Sequence, residues 1–165
     1  MRRSTKLAAL AAAVAVLVAV FAAIALAKPT KQVANLNGAK EVSPEGTKGV
    51  GDPDGRGRAV ITLNMRAERL CFNLSWSGIG APSMAHIHDG TKDEAGPVVH
   101  PLFMTGDEAA EGDQDLPDTL TGVKGCLDVP RDDLRHLKQD PSEHYVNIHN
   151  DEYPGGAIRG QLRNR

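Results

Sequence analysis

The chain has 165 residues, 41% hydrophobic and 24% charged, with a formal net charge of −2. That length suits one domain, and a chain of this size buries roughly two thirds of its unfolded surface, enough for a core without metals or many disulfides. No basic excess is present to make nucleic acid the main partner.

The N-terminus reads as a secretory signal peptide over residues 1–27. Arg2, Arg3 and Lys6 precede an uncharged apolar run from Leu7 to Leu26, and Ala25-Leu26-Ala27 fits the small-residue cleavage pattern before Lys28. The run is also long enough to span a bilayer, so an uncleaved N-terminal anchor is the alternative. Cleavage leaves 16 basic against 21 acidic side chains in residues 28–165, a net charge near −5.

Lys31–Asn37 reads as a first strand. From Pro44 to Arg58 the density of Gly and Pro breaks both helix and strand, so this stretch is a loop. Asp52-Pro53-Asp54-Gly55 has half the appearance of a calcium loop, but the later ligand positions and the closing Glu are missing. Ala59, Ile61, Leu63 and Met65 then alternate with polar or smaller neighbours, and a second alternating run covers Arg69–Ser77; strands so close together form a hairpin. Trp76, the single tryptophan, falls on the inward parity with Leu70, Phe72 and Leu74.

In Ala85-His86-Ile87-His88-Asp89-Gly90, residues i and i+2 of a strand share a face, so both imidazoles point one way and Ala85 and Ile87 the other. Val98–Phe103 is a further strand, with Pro101 placing it at an edge or end. Six acids and no base lie between Asp107 and Asp118, the pattern of a solvated loop. Leu120–Val129 is the next strand. Pro130 can open a short helix at its first position, with Asp132 and Asp133 near the positive end and Leu134 and Leu137 on one face; Pro141 ends it. His136, between those leucines, reads as a surface residue. Tyr145–His149 repeats the earlier pattern, with Asn147 and His149 opposite Val146 and Ile148. A final strand carries Ile158 and Leu162 against Arg159 and Gln161.

Cys71 and Cys126 both fall on the polar parity of their strands. An exported protein meets oxidising conditions, so a disulfide between neighbouring strands is the favoured reading, stabilising by about 4 kcal/mol in the chain-entropy account. Two thiols too far apart to bond is the alternative. About eight short strands, one short helix and no repeated βα unit define an all-β fold, an antiparallel Greek-key sandwich or barrel of the immunoglobulin-like or superoxide-dismutase-like kind.

Four segments, in order, resemble the chordin-type (CHRD) domain: Asn37-Gly38-Ala39-Lys40-Glu41-Val42 with Pro44; Ala85–Gly90 with Gly96-Pro97-Val98-Val99; Tyr145–His149 with Pro154-Gly155-Gly156; and Ile158-Arg159-Gly160-Gln161-Leu162. The resemblance spans about Val33 to Leu162, making 28–165 one domain. Two positions depart from the family pattern: Ser43-Pro44 stands where Pro-Pro is common, and Ala157 where an acid is common before Ile-Arg-Gly. If the acid at the second position pairs with Arg159 in relatives, that pair is absent here. The resemblance implies a secreted or cell-envelope module, found singly in many bacterial exported proteins; the growth-factor binding of animal chordins does not transfer. It implies no cofactor, no catalysis, and an extracellular protein or polysaccharide as partner.

His86, His88 and His149 admit two readings. The favoured one has them bracing loops, their ring nitrogens bonded to backbone carbonyls or to Asp89, Asn147 and Asp151, with Asn147 capping a turn as an imidazole can. The alternative is a copper or zinc site, in which His-x-His on one strand face supplies two ligands, His149 a third, and Asp89 or Asp151 an oxygen. A His-x-His strand in a β-barrel also resembles copper/zinc superoxide dismutases locally, which raises dismutase-like chemistry as a minor alternative. Arg159 reads as a structural donor to a carbonyl or carboxylate. No G-x-S-x-G, H-E-x-x-H or phosphate-loop motif is present to support another enzyme class.

Overall fold

The computed structural model describes residues 28–105 and 121–165. The signal-peptide reading of residues 1–27 and the acidic stretch Asp107–Asp118 lie outside them. Among the described residues no helix is long and apolar enough to cross a membrane.

Among the described residues nine strands form one antiparallel sheet: β1 Thr30–Asn37, β2 Arg56–Asn64, β3 Arg69–Ser77, β4 Pro82–Asp89, β5 Val98–Met104, β6 Gly122–Asp128, β7 His144–Asn150, β8 Ile158–Gln161 and β9 Arg163–Asn164. Eight follow the order β5-β4-β7-β8-β1-β2-β3-β6, and the short β9 pairs with β1. The end strands β5 and β6 touch each other, so the sheet curls into a nearly closed barrel. Around it β4, β5 and β6 lie side by side with β3 returning beside β6, a Greek-key arrangement. Pro101 sits on the edge strand β5, opposite His86 and beside a register shift in the β4–β5 pairing.

Strand alternation builds the interior. Ala59, Ile61 and Leu63 of β2 meet Leu70, Phe72, Leu74 and Trp76 of β3, and Ala85, Ile87, Val146, Ile148 and Ile158 fill the opposite wall. Trp76 reaches across the seam to Phe103, ring centroids 6.2 Å apart. The β2–β3 hairpin runs in full register from Arg56↔Ser77 to Asn64↔Arg69. The loop expected from Pro44 to Arg58 is shorter, because Arg56, Gly57 and Arg58 already pair with β1 as well as with β3. Helix α1, Arg131–Gln139, buries Leu134 and Leu137 against the barrel, and the buried Gln32 Nε2 of β1 donates to the Leu137 carbonyl at 2.6 Å. Pro130 caps this helix rather than opening it, since its extended ψ of 144° precedes the first helical residue, Arg131.

Cys71 of β3 and Cys126 of β6 stand directly opposite in register and are joined by a disulfide. Shared polar parity was enough to bring them together, because the two strands are hydrogen-bonded neighbours.

Candidate functional site

The outer face of β4, β7 and β8 carries a polar layer that is nevertheless buried. His86 lies opposite Asn147, and His88 opposite Tyr145; Asn147 in turn lies opposite Arg159, and Tyr145 opposite Gln161. Their strand neighbours Ala85, Ile87, Val146, Ile148 and Ile158 face the core and are fully buried. Alternation then points the histidines, Asn147, Tyr145 and Arg159 away from the core, yet each is below 9% exposed. Three connecting segments roof them over: the turn carrying Glu41, the Gly90–Pro97 loop and the Asp151–Ala157 loop.

The histidines form one cluster. His86 Nδ1 faces His149 Nε2 at 3.3 Å, and the His86–His88 and His88–His149 ring centroids are 5.6 and 6.2 Å apart. One ring nitrogen from each residue lies within 4.8 Å of the others, and this is the one such group of three among the described residues. The far sides of two rings are tied down: His88 Nδ1 bonds the Gly96 carbonyl at 2.9 Å and His149 Nδ1 the Pro154 carbonyl at 3.0 Å. A carbonyl only accepts, so both Nδ1 atoms carry the proton and both Nε2 atoms are left as lone pairs. The His88 Nε2 is buried without any partner. Burial pushes the His86 imidazole down to about 4, helped by the neighbouring His149 and His88. It also lowers His88 and His149, against the opposing effect of their carbonyl bonds. The cluster is neutral at pH 7.

Loop bracing therefore runs through backbone carbonyls alone. Asp89 and Asp151, expected as hydrogen-bond partners or oxygen ligands, are exposed and stand outside the cluster. As the last residue of β4 and the first beyond β7, they follow the chain out to the surface. Asn147 caps no turn: its Nδ2 donates to Glu41 Oε2 at 3.2 Å in the buried layer. His136 is exposed on α1. The Asp52–Gly55 turn closes on itself, Asp52 Oδ1 accepting from the Asp54 and Gly55 N–H groups at 2.9 and 3.2 Å.

Beside the cluster stands a stack of three planar groups. The His88 ring lies 4.7 Å from that of Tyr145, nearly parallel, and the Arg159 guanidinium covers the other face of Tyr145 at 3.3 Å from its centroid. The Tyr145 hydroxyl accepts from the Gly96 N–H at 3.1 Å. Gly96 can only be glycine, because a Cβ there would sit 1.6 Å from the Asp89 carbonyl oxygen. Arg159, 1% exposed, donates through Nη2 to the Thr91 carbonyl at 2.7 Å, while its Nη1 is buried without a partner. No acid pairs with Arg159 in place of the missing one at Ala157: Glu41, Asp93 and Glu94 act on it through space, but none makes an ion pair with it among the described residues. Burial raises Glu41 to about 8, outweighing the lowering effects of Arg159 and the Asn147 bond. Glu41 is thus protonated at neutral pH and gives the arginine no ion-pair partner.

Arg159 borders a cavity of about 420 Å³ that is also lined by Lys40, Lys48, Lys92, Arg163 and Asp93. Lys48 and Lys92 both pair with Asp93. Five cations against one carboxylate make this cavity basic in an acidic chain. Neither the cavity nor the role of Glu41 was legible in the sequence: the lysines come from separate loops with no periodicity, and Glu41 sits in a turn where a charged side chain reads as solvated. The one available signal was the occurrence of Glu41 within the first resembling segment.

Glu41, His88, Gly96, Tyr145, Asn147, His149, Gly156 and Arg159 come from all four of those segments and meet in this one layer. The class of protein so defined is a Greek-key β-barrel with a buried polar layer on one outer face. The CHRD-domain family model matches residues 32–162, and the chain belongs to that family. No curated protein and no solved structure matches it.

Proposed function

We propose that this is an exported, non-catalytic CHRD module, secreted or held at the cell envelope, that works by binding an extracellular protein or polysaccharide through anionic groups. The observation that carries the reading is the basic cavity: it offers five cationic side chains, with a buried Arg159 whose Nη1 lacks a partner. A carboxylate or phosphate there would meet a fixed, stacked guanidinium that Tyr145 and the Thr91 carbonyl hold in place. Export is supported by the Cys71–Cys126 disulfide, which persists in oxidising compartments, and by the leader pattern of residues 1–27.

The test is retention of the full chain on a polyuronate matrix against a neutral dextran matrix, with poly-glutamate as the acidic-protein counterpart. Binding to an acidic polymer, weakened at least tenfold in Lys40→Glu/Lys92→Glu and eased by salt, is the expected result. Equal retention on dextran, or none on any of the three, would overturn the reading. Mass spectrometry of the exported protein checks the leader: a chain beginning at Lys28 is expected, and an intact Met1 in the membrane fraction would replace secretion by anchoring.

A further inference from the structure

We propose that His86, His88 and His149 form a site for one copper or zinc ion, bound through His88 Nε2, His149 Nε2 and a ring nitrogen of His86. This goes beyond anion binding at the Arg159 cavity, from which the Tyr145 ring separates it. Four observations carry it. First, the nitrogens already have nearly the right spacing: metal–nitrogen bonds of about 2.0–2.1 Å at tetrahedral angles place two ligand atoms ~3.3–3.4 Å apart. The His86 Nδ1 to His149 Nε2 distance is 3.3 Å, and His88 adds a third imidazole, one ring nitrogen of each residue lying within 4.8 Å of the others.

Second, the outer shell is that of a metal site. His88 and His149 each donate Nδ1–H to a backbone carbonyl, which fixes the tautomer and aims the basic Nε2 inward. Third, bracing alone does not account for His88. The carbonyl bond occupies its Nδ1, and His86 and His149 can bond to each other, but His88 Nε2 remains buried with no partner. A buried lone pair of this kind is costly unless something fills it. Fourth, the donor set is all imidazole with no carboxylate, which selects against the hard cations calcium and magnesium and suits copper and zinc. Each of the three histidines is 6–8% exposed.

The experiment is metal analysis of the purified full chain, stripped with chelator and dialysed against zinc or copper, followed by competition with a chromophoric chelator. One equivalent retained is expected. His88→Ala and His149→Ala should each weaken binding by more than the ~10–100-fold that loss of an outer-shell partner costs, while His136→Ala, on the exposed face of α1, should leave it unchanged. Because a cluster variant can fail to fold, zinc titration of the wild-type chain followed through the histidine ring resonances gives an independent reading. Selective shifts of His86, His88 and His149 support the site. No retained metal, retention undiminished in both cluster variants, or zinc shifts confined to other histidines would overturn it.

Discussion

Glu41→Gln separates the two kinds of buried ionisable group that this fold carries. Glu41 is raised from 4.5 to about 8 by burial, so between those values the folded state holds a proton that the unfolded chain has released. Stability then falls as pH rises across that window, by up to about 1.4 kcal/mol per pH unit and about 5 kcal/mol in all. The histidines act in the opposite sense. His86 is lowered from 6.5 to about 4, so the unfolded chain binds more protons there and stability is lost as pH falls through that range. His88, His100 and His149 are lowered too and add in the same direction. Below about pH 7.5 the two effects compete, so the carboxyl is isolated in the difference between variant and wild type, which should change by about 2 kcal/mol from pH 6.5 to 8. A glutamine keeps the oxygen that accepts from Asn147 Nδ2 and removes the charge. Its amide hydrogens also face a layer in which Asn147 Oδ1 has no partner. Urea unfolding followed by Trp76, the single tryptophan and 5% exposed, reports both proteins across the range. The variant's stability should gain on that of the wild type from pH 6.5 to 8 and exceed it at pH 8; parallel profiles for the two would refute the assignment of a buried, protonated Glu41.

Reduction of the disulfide, or Cys71→Ser/Cys126→Ser, should cost about 4 kcal/mol from the chain-entropy of a 55-residue separation, read as a lowered urea midpoint. Gly96→Ala must push the Gly90–Pro97 loop off β4, because its Cβ would meet the Asp89 carbonyl oxygen at 1.6 Å; a loss of roughly 2–4 kcal/mol is expected, together with altered His88 and Tyr145 ring resonances. Arg159→Lys keeps the charge but loses the planar stack on Tyr145, so it should destabilise by roughly 1–3 kcal/mol. Equal melting temperatures for Arg159→Lys and wild type would show the stack to be energetically idle.

The strands were legible because side-chain alternation is imposed by the backbone itself. Arg69–Ser77 and the Cys71–Cys126 pairing followed from period-two patterns, and so did the burial of Trp76. The start of β2 was not legible, since Gly57 between two arginines has no apolar pattern and is held in the sheet by pairing on both sides. Alternation also predicts which way a side chain points, not what lies above it. Arg159 and Asn147 point away from the core as their parity requires, and are buried because loops distant in sequence cover them.

The same reason explains why the histidines could be placed on one face while their partners could not be named. Register brings His86 and His88 of β4 beside Asn147 and Tyr145 of β7, an arrangement that two similar strands suggest. The carbonyls of Gly96 and Pro154, by contrast, belong to loops with no pattern beyond their glycines and prolines. A backbone carbonyl leaves no trace in residue type, so aspartates were the natural candidates in the sequence, and they turn out to stand at the surface. What the sequence does retain is the demand those loops make on their own backbone. Gly96 must lack a Cβ, and Gly156 adopts φ +134 with Glu41 Oε2 2.5 Å from where a Cβ would be. Gly96 and Gly156 are thus the imprint of a roof that packs against the polar layer, and that roof is what turns an outward strand face into an interior site.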